Sequence, residues 1–170
     1  MYWDNQILVF AAMHRSDGLD AFFRAVTWLG SLYLLAPVAV LIAAVLLSLH
    51  RHREAMLLLI GLGGAALWVH LAKILFDRPR PDLVQPLIAL PADASFPSAH
   101  TAQIVAFALC MVLIIRRTLP EWQFAAMVVA FVLAVVVGAS RIYLQVHFPS
   151  DVLAGVALGI AWVALVHKAL

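Results

Sequence analysis

The sequence predicts an all-α integral membrane protein, a helical bundle of five to six transmembrane helices with an N-terminal interfacial helical segment. Three observations lead there. Of 170 residues, 65% are hydrophobic and only 12% charged, whereas a soluble domain is about half apolar and a quarter charged. The apolar residues collect in runs of similar length. The charged residues fall between those runs or at their ends. A bilayer core of about 30 Å needs roughly 20 residues of helix. Backbone polar groups in lipid must be satisfied within the segment, so such runs are helices.

Five runs meet or approach that length: 31–49, 55–76, 98–115, 122–140 and 149–167. The short charged links "HRHRE" (50–54) and "RRTLPE" (116–121) join the first run to the second and the third to the fourth. Residues 1–30 differ. Leu19, Phe22, Phe23, Val26 and Leu29 recur at helical spacing with Asp17, Asp20 and Arg24 among them, the pattern of helices lying in the membrane interface. A tilted extension of the first span is the alternative. Neither a long linker nor a repeat interrupts the chain, so residues 1–170 read as one domain, with 1–30 interfacial and 31–170 the transmembrane core. The opening "MYWDNQ" lacks the basic start of a secretory signal. "GLGG" at 61–64 follows no strand and reads as helix packing, as do Gly155 and Gly159.

Composition also excludes classes. A net charge of +2 is too small to argue for nucleic acid, and the single cysteine, Cys110, forbids an intramolecular disulfide.

The polar residues carry the functional signal. Lys73 and Arg80 end the second span, Ser98 and His100 begin the third, Ser140 and Arg141 close the fourth, and His147 and Asp151 open the fifth. Alternating span directions bring all of these to one membrane face. At the bilayer centre a Lys, Arg or Asp costs about 2.5–3.5 kcal/mol or more, so span ends are where they belong. Singly, Lys73 and Arg80 are snorkelling residues and Ser98 is a helix cap. Together, Lys73, Arg80 and Arg141 suit an anion with several oxygens. The helix starts at Ser98 and Pro149 add unpaired amides of the kind that bind phosphate. Asp151 lies four residues after His147. It can orient one imidazole nitrogen and leave the other free as nucleophile or base. His100 is placed to protonate a leaving oxygen. This is a phosphoryl-transfer set that needs no metal. Two histidines and a carboxylate also suit zinc, but three neighbouring cations repel a dication. No cofactor is expected. Asp77 and Arg78 read as a weak surface pair, and His70 reads as packing on its helix.

These same residues resemble a known family. "KILFDRPRP" (73–81), "PSAH" (97–100) and "SRIYLQVHFPSD" (140–151) are similar to the three-part signature of the type 2 phosphatidic acid phosphatase superfamily, which also holds vanadium haloperoxidases and acid phosphatases. Its pattern is K-x6-R-P, P-S-G-H and S-R-x5-H-x3-D. Every spacing matches, and the one departure is Ala99 where glycine is usual. The resemblance implies that Lys73, Arg80, Ser98 and Arg141 hold the phosphate, that His147 is the nucleophile with Asp151 its partner, and that His100 is the acid. It also implies about six helices, with the site facing the periplasm or cell exterior of a bacterial inner membrane. The compact size looks like the undecaprenyl-diphosphate phosphatase branch. The expected substrate is therefore a lipid phosphate or diphosphate, with undecaprenyl diphosphate first and phosphatidylglycerophosphate or phosphatidate as alternatives. Loop 82–96 is expected to cover the entrance, its Leu and Ile side chains touching lipid tails. A lipid phosphotransferase and an anion channel or transporter are the other readings. The sequence is silent on oligomeric state.

Overall fold

A computed structural model describes residues 2–170. The order is α1 (Tyr2–Met13), α2 (Asp17–Val26), a short 3-10 turn (Thr27–Gly30), α3 (Leu32–Ser48), α4 (His52–Phe76), α5 (Ala99–Thr118), a second 3-10 turn (Pro120–Trp122), α6 (Gln123–Tyr143) and α7 (Pro149–Ala169). No strand occurs among the described residues.

Local chemistry sets the boundaries. Ser16 and Ser31 cap α2 and α3 by accepting the N–H of Leu19 and Tyr33. Asp77, at φ 38°, ends α4 in the left-handed conformation. Pro149 occupies the first turn of α7, where its missing N–H costs nothing. Among the described residues, four helices are long and apolar enough to cross a membrane, and the number is five if the pair Asp17–Gly30 and Leu32–Ser48, bent by 45°, counts as one span. Alone, α3 has 17 residues and α1 and α2 only 12 and 10.

Helix α5 is the axis of the bundle and packs on α4, α6 and α7. Residues Thr101 to Ala106 are buried in unbroken succession, so every face of that helix is covered. By contrast α6 turns Phe124, Val128, Phe131 and Val135 outward. In lipid that surface is solvated by acyl chains. Helix association there depends on close packing rather than on expelling water. The α5–α7 contact shows how it is reached: a Cβ on Gly155 would lie 2.7 Å from the Ser98 carbonyl oxygen, and one on Gly159 2.9 Å from that of Ala102.

The two N-terminal helices dock at one end of the bundle. Leu8 on α1 is fully buried, and its carbonyl accepts from Gln145 Nε2 at 2.9 Å. Phe23 on α2 packs on the Tyr143 ring, whose hydroxyl donates to Asp20 at 2.6 Å. That same end carries the polar residues singled out above.

Candidate active site

Four helix ends and one loop build the site. The left-handed turn at Asp77 releases the chain from α4, and segment 77–98 loops back to α5. It is tied down by Ser95 N–H to the Arg78 carbonyl (2.8 Å) and Leu87 N–H to the Leu144 carbonyl (3.2 Å). Contrary to expectation, Leu87 and Ile88 pack inward against Tyr143, Leu144 and Val146. Only Leu83 and Leu90 of its large apolar side chains are exposed.

The cradle cations arrive from three directions. Lys73 is buried on the last turn of α4, with Nζ 3.1 Å from Asp93 Oδ2 and bonded to the Ala94 carbonyl. Arg80 donates to the Val146 carbonyl at 2.8 Å and to both the backbone and the carboxylate of Asp93. Arg141, only 2% exposed, donates to Thr27 Oγ1, while its buried Nε has no partner among the described residues. A buried, unpaired guanidinium N–H is costly and marks a place for an absent acceptor. Ser98 stands at the N-terminus of α5. Its hydroxyl makes no capping bond and accepts from Thr101 Oγ1 at 3.0 Å. The first amides of α5 have no intrahelical acceptor.

His147 is 2% exposed and lies in the short turn between α6 and α7. Its Nδ1 faces Asp151 Oδ2 and Ser95 Oγ, each at 3.5 Å, and its Nε2 is 3.4 Å from Arg80 Nη1. Burial is the main reason its imidazole is pushed down to about 4. Asp151 pulls it back up and Arg141 and Arg80 push it lower, so the ring is neutral at pH 7. Asp151 is fully buried. It also accepts the Phe148 N–H at 2.9 Å and the Ser95 hydroxyl. The Phe148 contact is one half of a capping box, so the fold of α7 fixes the carboxylate beside the imidazole. His100, in the first turn of α5, lies within electrostatic range of Arg141, His147, Lys73 and Arg80. The structure thus gathers Lys73, Arg80, Ser98, His100, Arg141, His147 and Asp151 at one end of the bundle.

Four residues escaped sequence reading. Asp93 and Ser95 sit in a loop with no periodicity, where only their nearness to Ser98 was a clue. Asp4 is a carboxylate inside an apolar helix, a visible anomaly. Arg78 was assigned to a surface pair with Asp77, and that is corrected here. Asp77 is exposed, while Arg78 Nη1 lies 2.6 Å from Asp151 Oδ1 and Nη2 3.2 Å from Asp4. His70 is exposed on α4 and neither lines the site nor packs in the core.

Membrane-crossing helices whose ends converge on a buried histidine–aspartate pair ringed by guanidinium and ammonium groups define a membrane enzyme of phosphoryl transfer. Residues 54–170 match the PAP2 superfamily, and the chain belongs to it. The chain is 31% identical over 160 residues to phosphatidylglycerophosphatase B of Bacillus subtilis, covering 92% of this chain and 78% of that protein. It is 28% identical over 152 residues to undecaprenyl-diphosphatase BcrC of the same organism, covering 86% and 72%. The crystal structure of the first transmembrane PAP2 type phosphatidylglycerolphosphate phosphatase from Bacillus subtilis superposes with a TM-score of 0.91 at 30% identity, covering 98% of this chain and 84% of that one. The protein is a multi-pass membrane protein of this lipid phosphatase family.

Proposed function

We propose that the protein hydrolyses the terminal phosphate of a lipid diphosphate, with undecaprenyl diphosphate giving undecaprenyl phosphate, through a phosphohistidine on His147 and without a metal ion. The observation that carries this is the 3.4 Å approach of Arg80 Nη1 to His147 Nε2, while Nδ1 faces Asp151. A phosphate gripped by Arg80 meets the nucleophilic nitrogen directly.

The phosphate displaces Asp93 and takes Lys73, Arg80, Arg141 and the α5 amides as partners. His147 Nε2 attacks phosphorus, the P–O bond to the lipid breaks, and His100 gives the leaving oxygen its proton. Asp151 holds the Nδ1 proton and balances the cation that forms on the ring. Water, losing a proton to His100, then attacks phosphorus. The N–P bond breaks and free phosphate leaves. Cations fixed in advance stabilise the transferring group without reorganising.

The lipid tail stays in the bilayer. An apolar groove of about 390 Å³ between α4 and α7 includes Leu71, Leu75 and Leu158 and runs to within a turn of Lys73, which supports sideways entry. A second reading, phosphatidylglycerophosphate as substrate, is favoured by the near full-length likeness to phosphatidylglycerophosphatase B. The test is phosphate release by purified protein in detergent with EDTA, from undecaprenyl diphosphate, phosphatidylglycerophosphate and phosphatidate side by side. The highest kcat/KM should fall on undecaprenyl diphosphate, and a preference for phosphatidylglycerophosphate selects the second reading. His147→Ala should release nothing while keeping its fold, and full activity in that variant refutes the nucleophile.

A further inference from the structure

Arg78 is left over from the phosphate cradle. Pro79 separates it from Arg80, and the two guanidinium groups part company. Arg80 turns toward Asp93 and His147, and Arg78 turns toward α7 and α1. Its Nη1 donates to Asp151 Oδ1 at 2.6 Å and to Ser150 Oγ at 2.8 Å, its Nη2 donates to Asp4 Oδ2 at 3.2 Å, and its Cζ lies 4.1 Å over the Phe148 ring. Asp4, fully buried on α1, also accepts the Ser150 N–H at 2.9 Å and its hydroxyl at 2.7 Å. Burial alone raises the Asp4 carboxyl, but the Ser150 and Arg78 bonds outweigh it and leave it below its usual value.

The two oxygens of Asp151 therefore have separate duties. Oδ1 is taken by Arg78, while Oδ2 accepts from Ser95 and Phe148 and faces His147 Nδ1. With Oδ1 held, the carboxylate cannot rotate away from the imidazole. A lone cation at 2.6 Å would also weaken the field that Asp151 exerts on His147. Asp4 compensates that charge from the far side of Arg78.

We propose that Arg78 and Asp4 are positioning residues for the hydrolysis: Arg78 clamps Asp151 so that His147 presents Nε2 to phosphorus, and Asp4 holds and neutralises Arg78. This makes α1, outside the family match at 54–170, a working part of the site. The proposal rests on His147 being the nucleophile. Partners that orient a first-contact residue typically change activity about 10- to 100-fold when removed.

The test compares wild type, His147→Ala, Arg78→Gln, Arg78→Lys, Asp4→Asn and the Asp4→Asn/Arg78→Gln pair, each checked for folding by thermal melt. Initial rates are measured on undecaprenyl diphosphate, and the phosphate cradle is probed by inhibition with inorganic phosphate. For Arg78→Gln, kcat should fall about 10- to 100-fold while the phosphate inhibition constant holds. Arg78→Lys should recover part of the loss. Asp4→Asn should lower kcat in the wild type and add nothing in Arg78→Gln, because it acts through Arg78. The acid limb of kcat/KM should also move to higher pH in Arg78→Gln. His147 is faced by Asp151 on α7, Arg141 on α6, His100 on α5, and Arg80 and Ser95 from the loop. Freeing Asp151 strengthens the one anion in that set. Weakened phosphate inhibition with kcat intact would make Arg78 a substrate contact and overturn the proposal, as would independent losses in the double variant. If Arg78→Gln does not fold, Asp4→Asn and Arg78→Lys decide: wild-type kcat in both overturns it. An active His147→Ala sinks the nucleophile reading instead, and a wild type inactive on undecaprenyl diphosphate sinks the substrate reading. An active wild type, dead His147→Ala and unaltered Arg78 and Asp4 variants sink only this inference.

Discussion

Asp93 Oδ1 lies 2.5 Å from Arg80 Nη2, with the other oxygen of the same carboxylate 3.1 Å from Lys73 Nζ. The chain's own carboxylate thus occupies the cradle where a phosphate is expected. Burial alone raises the Asp93 carboxyl, but hydrogen bonds from Arg80 and Lys73 outweigh it, so it lies below the usual value and is ionised at neutral pH. Its side chain is 53% exposed. Lys73 and Arg80 are only 5% and 7% exposed, but the open carboxylate keeps the pair within reach of water, and a water-screened pair contributes about 0–1 kcal/mol, so the contact is easily displaced. Asp93→Asn is expected to tighten inorganic phosphate inhibition by about 2- to 5-fold, the equivalent of that range. Weaker inhibition would show that Asp93 helps to shape the cradle rather than compete for it.

The imidazole of His147 gives a pH signature. Its folded value of about 4 lies below the ordinary histidine value of 6.5. Between those values the unfolded chain binds the extra proton. Stability is therefore full above about pH 6.5 and is lost as pH falls toward 4. Thermal melts of the wild type from pH 7 to 4.5 should show that loss, and His147→Gln should show less of it. In the empty enzyme the acid limb of kcat/KM belongs near the lower value. A limb at 6.5 would mean an imidazole open to water.

What sequence reading reached, and what it missed, divides by range. Lys73, Arg80, Ser98, Arg141 and His147 were legible because span length fixes where each helix ends, and alternation sends those ends to one face. Asp151 was legible because it lies in the first turn of the last span, four positions after His147. The residues that complete the site depend on contacts no periodicity encodes. Arg78 was paired with its neighbour Asp77, yet its guanidinium reaches residues 73 and 74 positions away. Asp93 and Ser95 lie in a loop whose path is set by a few backbone bonds. Asp4 lies in a short helix whose docking is determined by the burial of its own Leu8 and by the bond from Gln145 to the Leu8 carbonyl.

The small residues on α7 couple the fold to the chemistry. A methyl on Gly155 would sit 2.7 Å from the carbonyl of Ser98, and the Ser98 N–H donates to the Asp151 carbonyl at 3.0 Å. Pushing the helices apart there shifts Ser98 and Asp151 together. Gly155→Ala should destabilise by about 1–3 kcal/mol, the usual range for overpacking, and lower kcat beyond what the lost folded fraction explains. Gly63 has open space around its Cβ position, so Gly63→Ala is the control and should leave both unchanged.

Orientation is a prediction open to direct labelling. Arg51, Arg53, Arg116, Arg117 and Lys168 lie at the end of the bundle opposite the site. Arg53, Arg116 and Arg117 gather within electrostatic range of His167. With Lys73, Arg80 and Arg141 set aside, that end is the more basic one, and the prediction is that it faces the cytoplasm. The only native cysteine, Cys110, is fully buried and gives a quiet background. Leu83→Cys, on the exposed loop at the site end, should react with a membrane-impermeant maleimide in intact cells. Arg53→Cys, in the first turn of α4, should react only after lysis. The reverse pattern would put the cradle in the cytoplasm, where a lipid phosphate on the outer leaflet cannot reach His147.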